Sequence, residues 1–228
     1  MLKRLILILI FLLLVGNINP CKAAPVNRPK VGLALSGGGA LGLAHIGILK
    51  KIDSLEIPVD YIAGTSMGGL VGGLYACGYS AKQIEKIVDD INWEHLFRDV
   101  PARKHLPYFV KQDLHKYQFN INMNKFQPEM PGVINGQKVE LLLSRLTYKY
   151  STVRDFDKLP IPFRCVSVDL VSGNEVIHQS GVLSEALRAT MSVPSIFAPV
   201  EMGDSLLIDG GLLNNIPAPD LVRHSFLK

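Results

Sequence analysis

Three short segments of this 228-residue chain carry residue types that can do chemistry. Ser66 lies in Gly64-Thr65-Ser66-Met67-Gly68, directly after an apolar stretch. A serine framed by glycines at such a junction stands on a sharp turn that lifts its hydroxyl clear and lets neighbouring backbone pass close. Asp209 opens Asp209-Gly210-Gly211, again after an apolar stretch, and its carboxylate can take the proton of a hydroxyl within reach. The third segment is Gly37-Gly38-Gly39-Ala40-Leu41-Gly42. Its amides, unobstructed at the start of a helix, can hold negative charge, either a phosphate or a transient oxyanion. Together the segments offer a nucleophile, a base and oxyanion donors.

Each segment also has a plainer reading. Gly37, Gly39 and Gly42 match the G-x-G-x-x-G dinucleotide fingerprint, but that site expects an acidic ribose anchor at the end of the second strand. Here that strand ends in Gly64-Thr65-Ser66, with Asp60 at its start. Ser66 also reads as a helix cap, and Asp209-Gly210-Gly211 as a turn. The further glycines Gly69, Gly72 and Gly73 fit close helix packing. None of the histidines His45, His95, His105, His115, His178 and His224 sits in a glycine-framed loop after a strand as Asp209 does. A Ser66–Asp209 dyad is therefore the simplest assembly.

Behind these segments stands an alternating pattern. Val31 to Leu35 reads as a buried strand, followed by a helix from about Gly42 to Leu55 with Ile48, Leu49, Ile52 and Leu55 on one face. Val59 to Ala63 makes a second strand, and the next helix carries Leu70, Val71, Leu74 and Tyr75 on one side. Ser80 and Gln83 form a capping box ahead of Ile84, Ile87, Val88 and Ile91. Val139, Leu142, Leu143 and Leu146 return to helical spacing. A strand follows over Phe163–Asp169, paired with Glu175–His178, then a helix over Leu183–Thr190 and a strand at Leu206–Ile208. This order predicts an α/β domain with a mainly parallel central sheet. Periodicity fades over Trp93–Gly132, where aromatic and basic residues mix: Trp93, Phe97, Tyr108 and Phe109 beside Arg98, Arg103, Lys104 and Lys111. That composition suits a flap meeting a membrane surface, or an ordinary solvated excursion with some core aromatics.

Composition excludes other classes. With 48% hydrophobic and 19% charged residues the chain is no disordered tail, and three cysteines do not make a disulfide scaffold. Lys3 and Arg4 before the apolar run Leu5–Val15, then Cys21-Lys22-Ala23-Ala24, read as a secretory signal cleaved after Ala23, which predicts export to the periplasm, the outer membrane or the medium. A lipid-modified Cys21 is the rival reading. Removing Lys3, Arg4 and Lys22 brings the formal charge of +4 close to neutrality, which removes any nucleic-acid argument. Cys77 and Cys165 lie in apolar runs and read as buried thiols rather than a bridge.

The three signatures, with Leu159-Pro160-Ile161-Pro162-Phe163, Ser167-Val168-Asp169-Leu170 and Val193-Pro194-Ser195-Ile196-Phe197, resemble the bacterial patatin-like phospholipases from Val31 to about Pro217. The resemblance implies a three-layer domain over residues 24–228, with its helices flanking the sheet. It implies a lipid acyl hydrolase of phospholipase A or lysophospholipase type that needs neither metal nor cofactor. By carry-over Ser66 is the nucleophile, Asp209 the base, and the amides of Gly37, Gly38 and Gly39 the oxyanion hole. Gly42, Gly64, Gly68, Gly210 and Gly211 support the motifs, and the substrate is a phospholipid or other fatty-acyl ester. Two departures stand out: many members carry a basic residue where this chain has Leu41, and the chain ends at Lys228, where the family usually continues. A Ser66–Asp209–His224 esterase and an exported, non-catalytic module keeping the motifs are the alternatives.

Overall fold

The computed structural model describes residues 28–97, 108, 120–122, 127–129 and 134–219. The expected signal segment, most of the 93–132 stretch and His224 lie outside them.

A mixed sheet is the scaffold. Strand β1 (Gly32–Leu35) pairs in parallel with β2 (Tyr61–Thr65), and β2 in parallel with β5 (Phe163–Asp169). β6 (Glu175–His178) and β8 (Ser205–Asp209) both join β5 antiparallel, and β7 (Val200–Met202) pairs antiparallel with β8. Four strands, β1, β2, β5 and β7, thus run one way. A hairpin of β3 (Asn120–Asn122) and β4 (Gln127–Glu129) stands apart from this sheet. Every residue of β2 and β5 is buried, as expected of central strands covered on both faces.

Helices fill the crossovers. A 3₁₀ turn over Gly39–Leu43 leads into α1 (Ala44–Ser54); α2 (Met67–Ala76) follows β2, and α3 (Ala81–Asp90) begins at the expected capping box, with both Ser80 and Gln83 bonds formed. The buried seam of α1 is Ile46–Leu49–Ile52, and Ile48 and Leu55 face outward. The expected stripe was rotated because α1 meets Val71 and Leu74 of α2 and Ala81 and Ile84 of α3 along a narrow three-residue line. Asp53 ties the same three helices, accepting from Tyr75 Oη at 2.6 Å and from the Ala81 amide at 2.8 Å. The second strand begins at Tyr61, two residues later than expected, and Asp60 caps the first by accepting the Val31 amide at 2.7 Å.

After the short α4 (Trp93–Leu96) come α5 (Gln137–Leu146) and α6 (Leu183–Thr190). The main core joins Ile62, Phe163 and Cys165 of the sheet to Val139, Leu143, Leu183 and Leu187 of these helices. On the opposite face Tyr61 and Ala63 make a smaller cluster with Ala34. The glycines of α2 work as packing residues: a methyl on Gly73 would lie 2.7 Å from Leu187 Cδ2, and one on Gly69 2.9 Å from Thr190 Cγ2. Cys77 and Cys165 are free and buried, and burial pushes the Cys77 thiol up to about 12. Trp93 and Phe97 meet as a tilted ring pair at 5.7 Å, and Phe97 meets Phe197 edge-on at 5.7 Å, so these two aromatics of the expected flap pack against the domain.

Candidate active site

The register of β5 explains how two distant segments meet. Thr65 at the end of β2 pairs with Val166, and Asp209 at the end of β8 pairs with Ser167. β6 occupies the other edge of Cys165 to Val168, so β2 and β8 share one edge and arrive from opposite directions. Their ends are offset by a single residue rise, about 3.3 Å along β5. Ser66 and Asp209 are thereby brought together.

Ser66 sits on the turn between β2 and α2 with φ 53 and ψ −126, a conformation that a side chain rarely adopts. Tertiary contacts hold it there. The Ser66 amide donates to Thr190 Oγ1 at 3.0 Å, and the Thr190 hydroxyl donates to the Val166 carbonyl. A methyl on Gly68 would run into the carbonyls of Leu35 and Ser36, so this close passage of α2 over the end of β1 requires glycine. Ser66 is 5% exposed.

Asp209 is pinned at both ends. Its amide donates to the Ser192 carbonyl at 2.9 Å, and its Oδ1 accepts the Gly211 amide at 2.7 Å. Oδ2 is buried and has no hydrogen-bond partner. Burial pushes this carboxyl above the usual range, while the nearby Ser66 hydroxyl and the Gly211 amide pull the other way. Ser66 therefore stands close enough to favour the carboxylate without being seated on Oδ2. Gly210 passes so near Val166 that a methyl would strike its carbonyl.

The glycine loop closes the third side. A methyl on Gly37 would lie 3.0 Å from Ser66 Cβ and 2.6 Å from Asn215 Oδ1. Gly37 does not offer its amide to the site, because that group donates to the Asn215 carbonyl at 3.2 Å. This narrows the expected oxyanion donors from three to Gly38 and Gly39, both solvent-exposed, with Gly39 at φ 53. The segment after Asp209 folds back over the end of β2: the Thr65 hydroxyl donates to the Asn214 carbonyl at 2.8 Å. Thr190 and Ser192 were not among the residues expected at the site, whereas Asn214 and Asn215 directly follow the Asp209 signature.

No described histidine is hydrogen-bonded to Ser66 or Asp209. His45 Nε2 is 2.9 Å from the Ser36 carbonyl, and His178 Nε2 is 3.0 Å from Ser167 Oγ. Asp169 organises its own turn, accepting from Val171, Ser172 and Leu206. Around the site Leu41 is 85% exposed, and Leu212, Leu213 and Ile216 are each more than half exposed, an uncharged apolar rim.

Comparison with known proteins agrees with this picture. The family model described as "Patatin-like phospholipase" matches residues 33–222. A lysophospholipase NTE1 of Lodderomyces elongisporus is 30% identical over 87% of this chain and 12% of its own length. An uncharacterized NTE family protein of Mycobacterium tuberculosis is 32% identical over 82% of this chain and 27% of its own. The chain thus spans about a quarter or less of these relatives. The crystal structure of VipD from Legionella pneumophila shares the fold with a TM-score of 0.54 at 17% identity, over 83% of this chain and 47% of that one.

Proposed function

From the premise that this chain belongs to the patatin-like phospholipase family, we propose that it hydrolyses fatty-acyl esters of lipids through a Ser66–Asp209 dyad. The observation that carries the reading is the buried, unpartnered Oδ2 of Asp209 next to a serine on a strained turn. With Oδ1 already accepting the Gly211 amide, Oδ2 is the oxygen left without a partner to take a proton, and Ser66 stands nearby. Ser66 Oγ attacks the ester carbonyl carbon as its proton passes to Asp209. The carbonyl oxygen gains the negative charge and takes the Gly38 and Gly39 amides as donors. Collapse expels the alcohol, which leaves with the proton from Asp209, and water then releases the acyl group by the same steps.

Leu41, Leu212, Leu213 and Ile216 offer an uncharged apolar rim to a lipid surface. Export by the N-terminal signal belongs to the same proposal, since it would deliver the enzyme to envelope lipids. The test is ester and lysophospholipid hydrolysis by purified protein, together with labelling by a fluorophosphonate. Ser66→Ala abolishes both hydrolysis and labelling; Asp209→Asn abolishes hydrolysis. Full hydrolysis by folded Ser66→Ala protein ends the proposal, and loss in His224→Ala as well as in Ser66→Ala transfers it to the Ser–His–Asp alternative.

A further inference from the structure

Arg188 stands in the last turn of α6 and is only 2% exposed, a guanidinium taken almost wholly out of water. Burying such a charge is unfavourable unless its donors are well placed. Its Nη1 donates to Ser192 Oγ at 2.6 Å, and its Nη2 donates to the carbonyls of Asn135 at 3.0 Å and Ala198 at 3.2 Å. The guanidinium carbon lies 4.8 Å from the centre of the Phe197 ring. The link to Ser192 runs both ways, because Ser192 Oγ donates to the Arg188 carbonyl at 2.9 Å. Ser192 is thus held through its side chain, while its carbonyl accepts the Asp209 amide at 2.9 Å. Thr190, between the two, accepts the Ser66 amide at 3.0 Å. One turn, residues 190–192, therefore touches both members of the dyad. We propose that Arg188 is a positioning residue for the Ser66–Asp209 pair: by clamping Ser192 it fixes the turn to which both backbones are bonded. The inference rests on the hydrolase reading for its effect on turnover and goes beyond it by adding a residue that acts through another.

Two physical features favour a clamp over simple core packing. The helix α6 ends at Thr190, so Ser192 lies past the last helical turn, where orientation must come from tertiary bonds. A planar guanidinium suits that need, since its donors point in fixed, divergent directions and reach a side chain and two carbonyls on separate segments. A clamp also needs a fixed far end, and this one has it. The Ile134 amide donates to the Ile196 carbonyl at 2.7 Å and the Ala198 amide to the Ile134 carbonyl at 2.8 Å, so the two carbonyl anchors of Arg188 sit on segments already joined to each other. Gly136 closes on the same group: a methyl there would lie 2.5 Å from Arg188 Nη2, which leaves the guanidinium no room to swing that way.

Ser192→Ala deletes the clamped oxygen and keeps the carbonyl that holds Asp209, and Arg188→Met deletes the guanidinium while keeping an unbranched stem. On p-nitrophenyl butyrate each is expected to lower kcat by about tenfold to a hundredfold with KM within about twofold, the cost of shifting reacting groups by up to about 1 Å. Because Arg188 acts through Ser192, the double variant is expected to lose no more than the worse single one. Amide hydrogen exchange read by NMR gives a measure independent of turnover. The Ser66 and Asp209 amides are expected to exchange about tenfold faster in Ser192→Ala, with the Leu49 amide of α1 unchanged. If Arg188→Met does not fold, Ser192→Ala decides by both measures. Unchanged kcat or unchanged exchange at 66 and 209 in folded Ser192→Ala, or losses that multiply in the double variant, overturn the inference. A wild type that hydrolyses no ester removes the dyad reading instead, and the exchange rates alone then decide the clamp.

Discussion

Thr190 is expected to decide whether Ser66 is held in its strained turn or merely found there. The residue is wholly buried at the end of α6, and its hydroxyl serves two backbone groups, accepting from the Ser66 amide and donating to the Val166 carbonyl. Thr190→Val keeps the shape and deletes both bonds. Two buried backbone groups lose their partners at about 1–3 kcal/mol each, so the loss should fall within about 2–6 kcal/mol. Thr190→Ser keeps the hydroxyl and removes the methyl that packs against Gly69, at about 1 kcal/mol. In a domain of this size the two changes correspond to falls in Tm of about 10 °C and about 3 °C. Activity should separate them further. Released from Thr190, the turn at φ 53 can relax and recover about 1–3 kcal/mol of strain, which moves Oγ away from Asp209. A displacement near 1 Å costs about a hundredfold in rate. Urea unfolding and kcat/KM on a short ester give both readouts. If the valine variant matches the serine variant in stability and activity, the hydroxyl bridge is not what positions the nucleophile.

Further outcomes follow from the same contacts. Gly68→Ala should cost at least about 2 kcal/mol and most of the activity, because its methyl meets the Leu35 and Ser36 carbonyls; thermal melts and ester hydrolysis check this. The carboxyl of Asp209 is pushed up by burial, so its ionisation opposes folding: its contribution is complete below the unfolded value near 4 and is lost as pH rises through the folded one. Asp209→Asn should therefore melt higher than wild type at pH 8, with the difference shrinking toward pH 4, while wild-type kcat/KM falls at low pH with a midpoint above the ordinary aspartate value. Burial lowers His178 to about 4, so the unfolded chain takes up a proton first and stability is lost as pH falls from about 6.5 toward 4. The span is worth about 3 kcal/mol, and His178→Gln should flatten Tm across that window.

The motif glycines were legible because they answer to local demands. A serine on a tight turn and a backbone passing close to another leave glycine at fixed offsets, as at Gly64, Gly68 and Gly210. Strand and helix limits over Phe163–Asp169 and Leu183–Thr190 were equally readable from periodicity. The outward turn of Ile48 was not, since a helix with apolar residues on more than one side does not say which of them will find a partner. Nor was β7: three residues alternating half-buried, exposed and half-buried leave too short a pattern to register. Thr190 and Ser192 escaped notice for a different reason. Their work is to accept one backbone hydrogen each, from Ser66 and from Asp209, across 124 and 17 positions of chain, and no local pattern encodes a partner that tertiary folding supplies.

That same distribution of labour bears on why two catalytic side chains suffice in this reading. In a serine–histidine–aspartate arrangement the carboxylate orients a base that swings between nucleophile and leaving group. In the proposed dyad the carboxylate itself would be the base, and its orientation comes from backbone: Ser192 fixes the Asp209 amide, Gly211 fixes Oδ1, and the head-to-head arrival of β2 and β8 on one edge of β5 sets the distance. A rigid base needs a rigid nucleophile, which is what the Thr190 bridge and the strained Ser66 turn provide. The substrate must then bring its ester to a fixed point, and contacts along its acyl chain are what can hold it there. Shortening the chain should consequently lower kcat as well as raise KM, because part of the chain's binding energy goes into holding the carbonyl in line with an Oγ that cannot move to meet it. Equal kcat values across acyl lengths, with all of the change in KM, would show that the chain contributes affinity alone and that the dyad adjusts to its substrate.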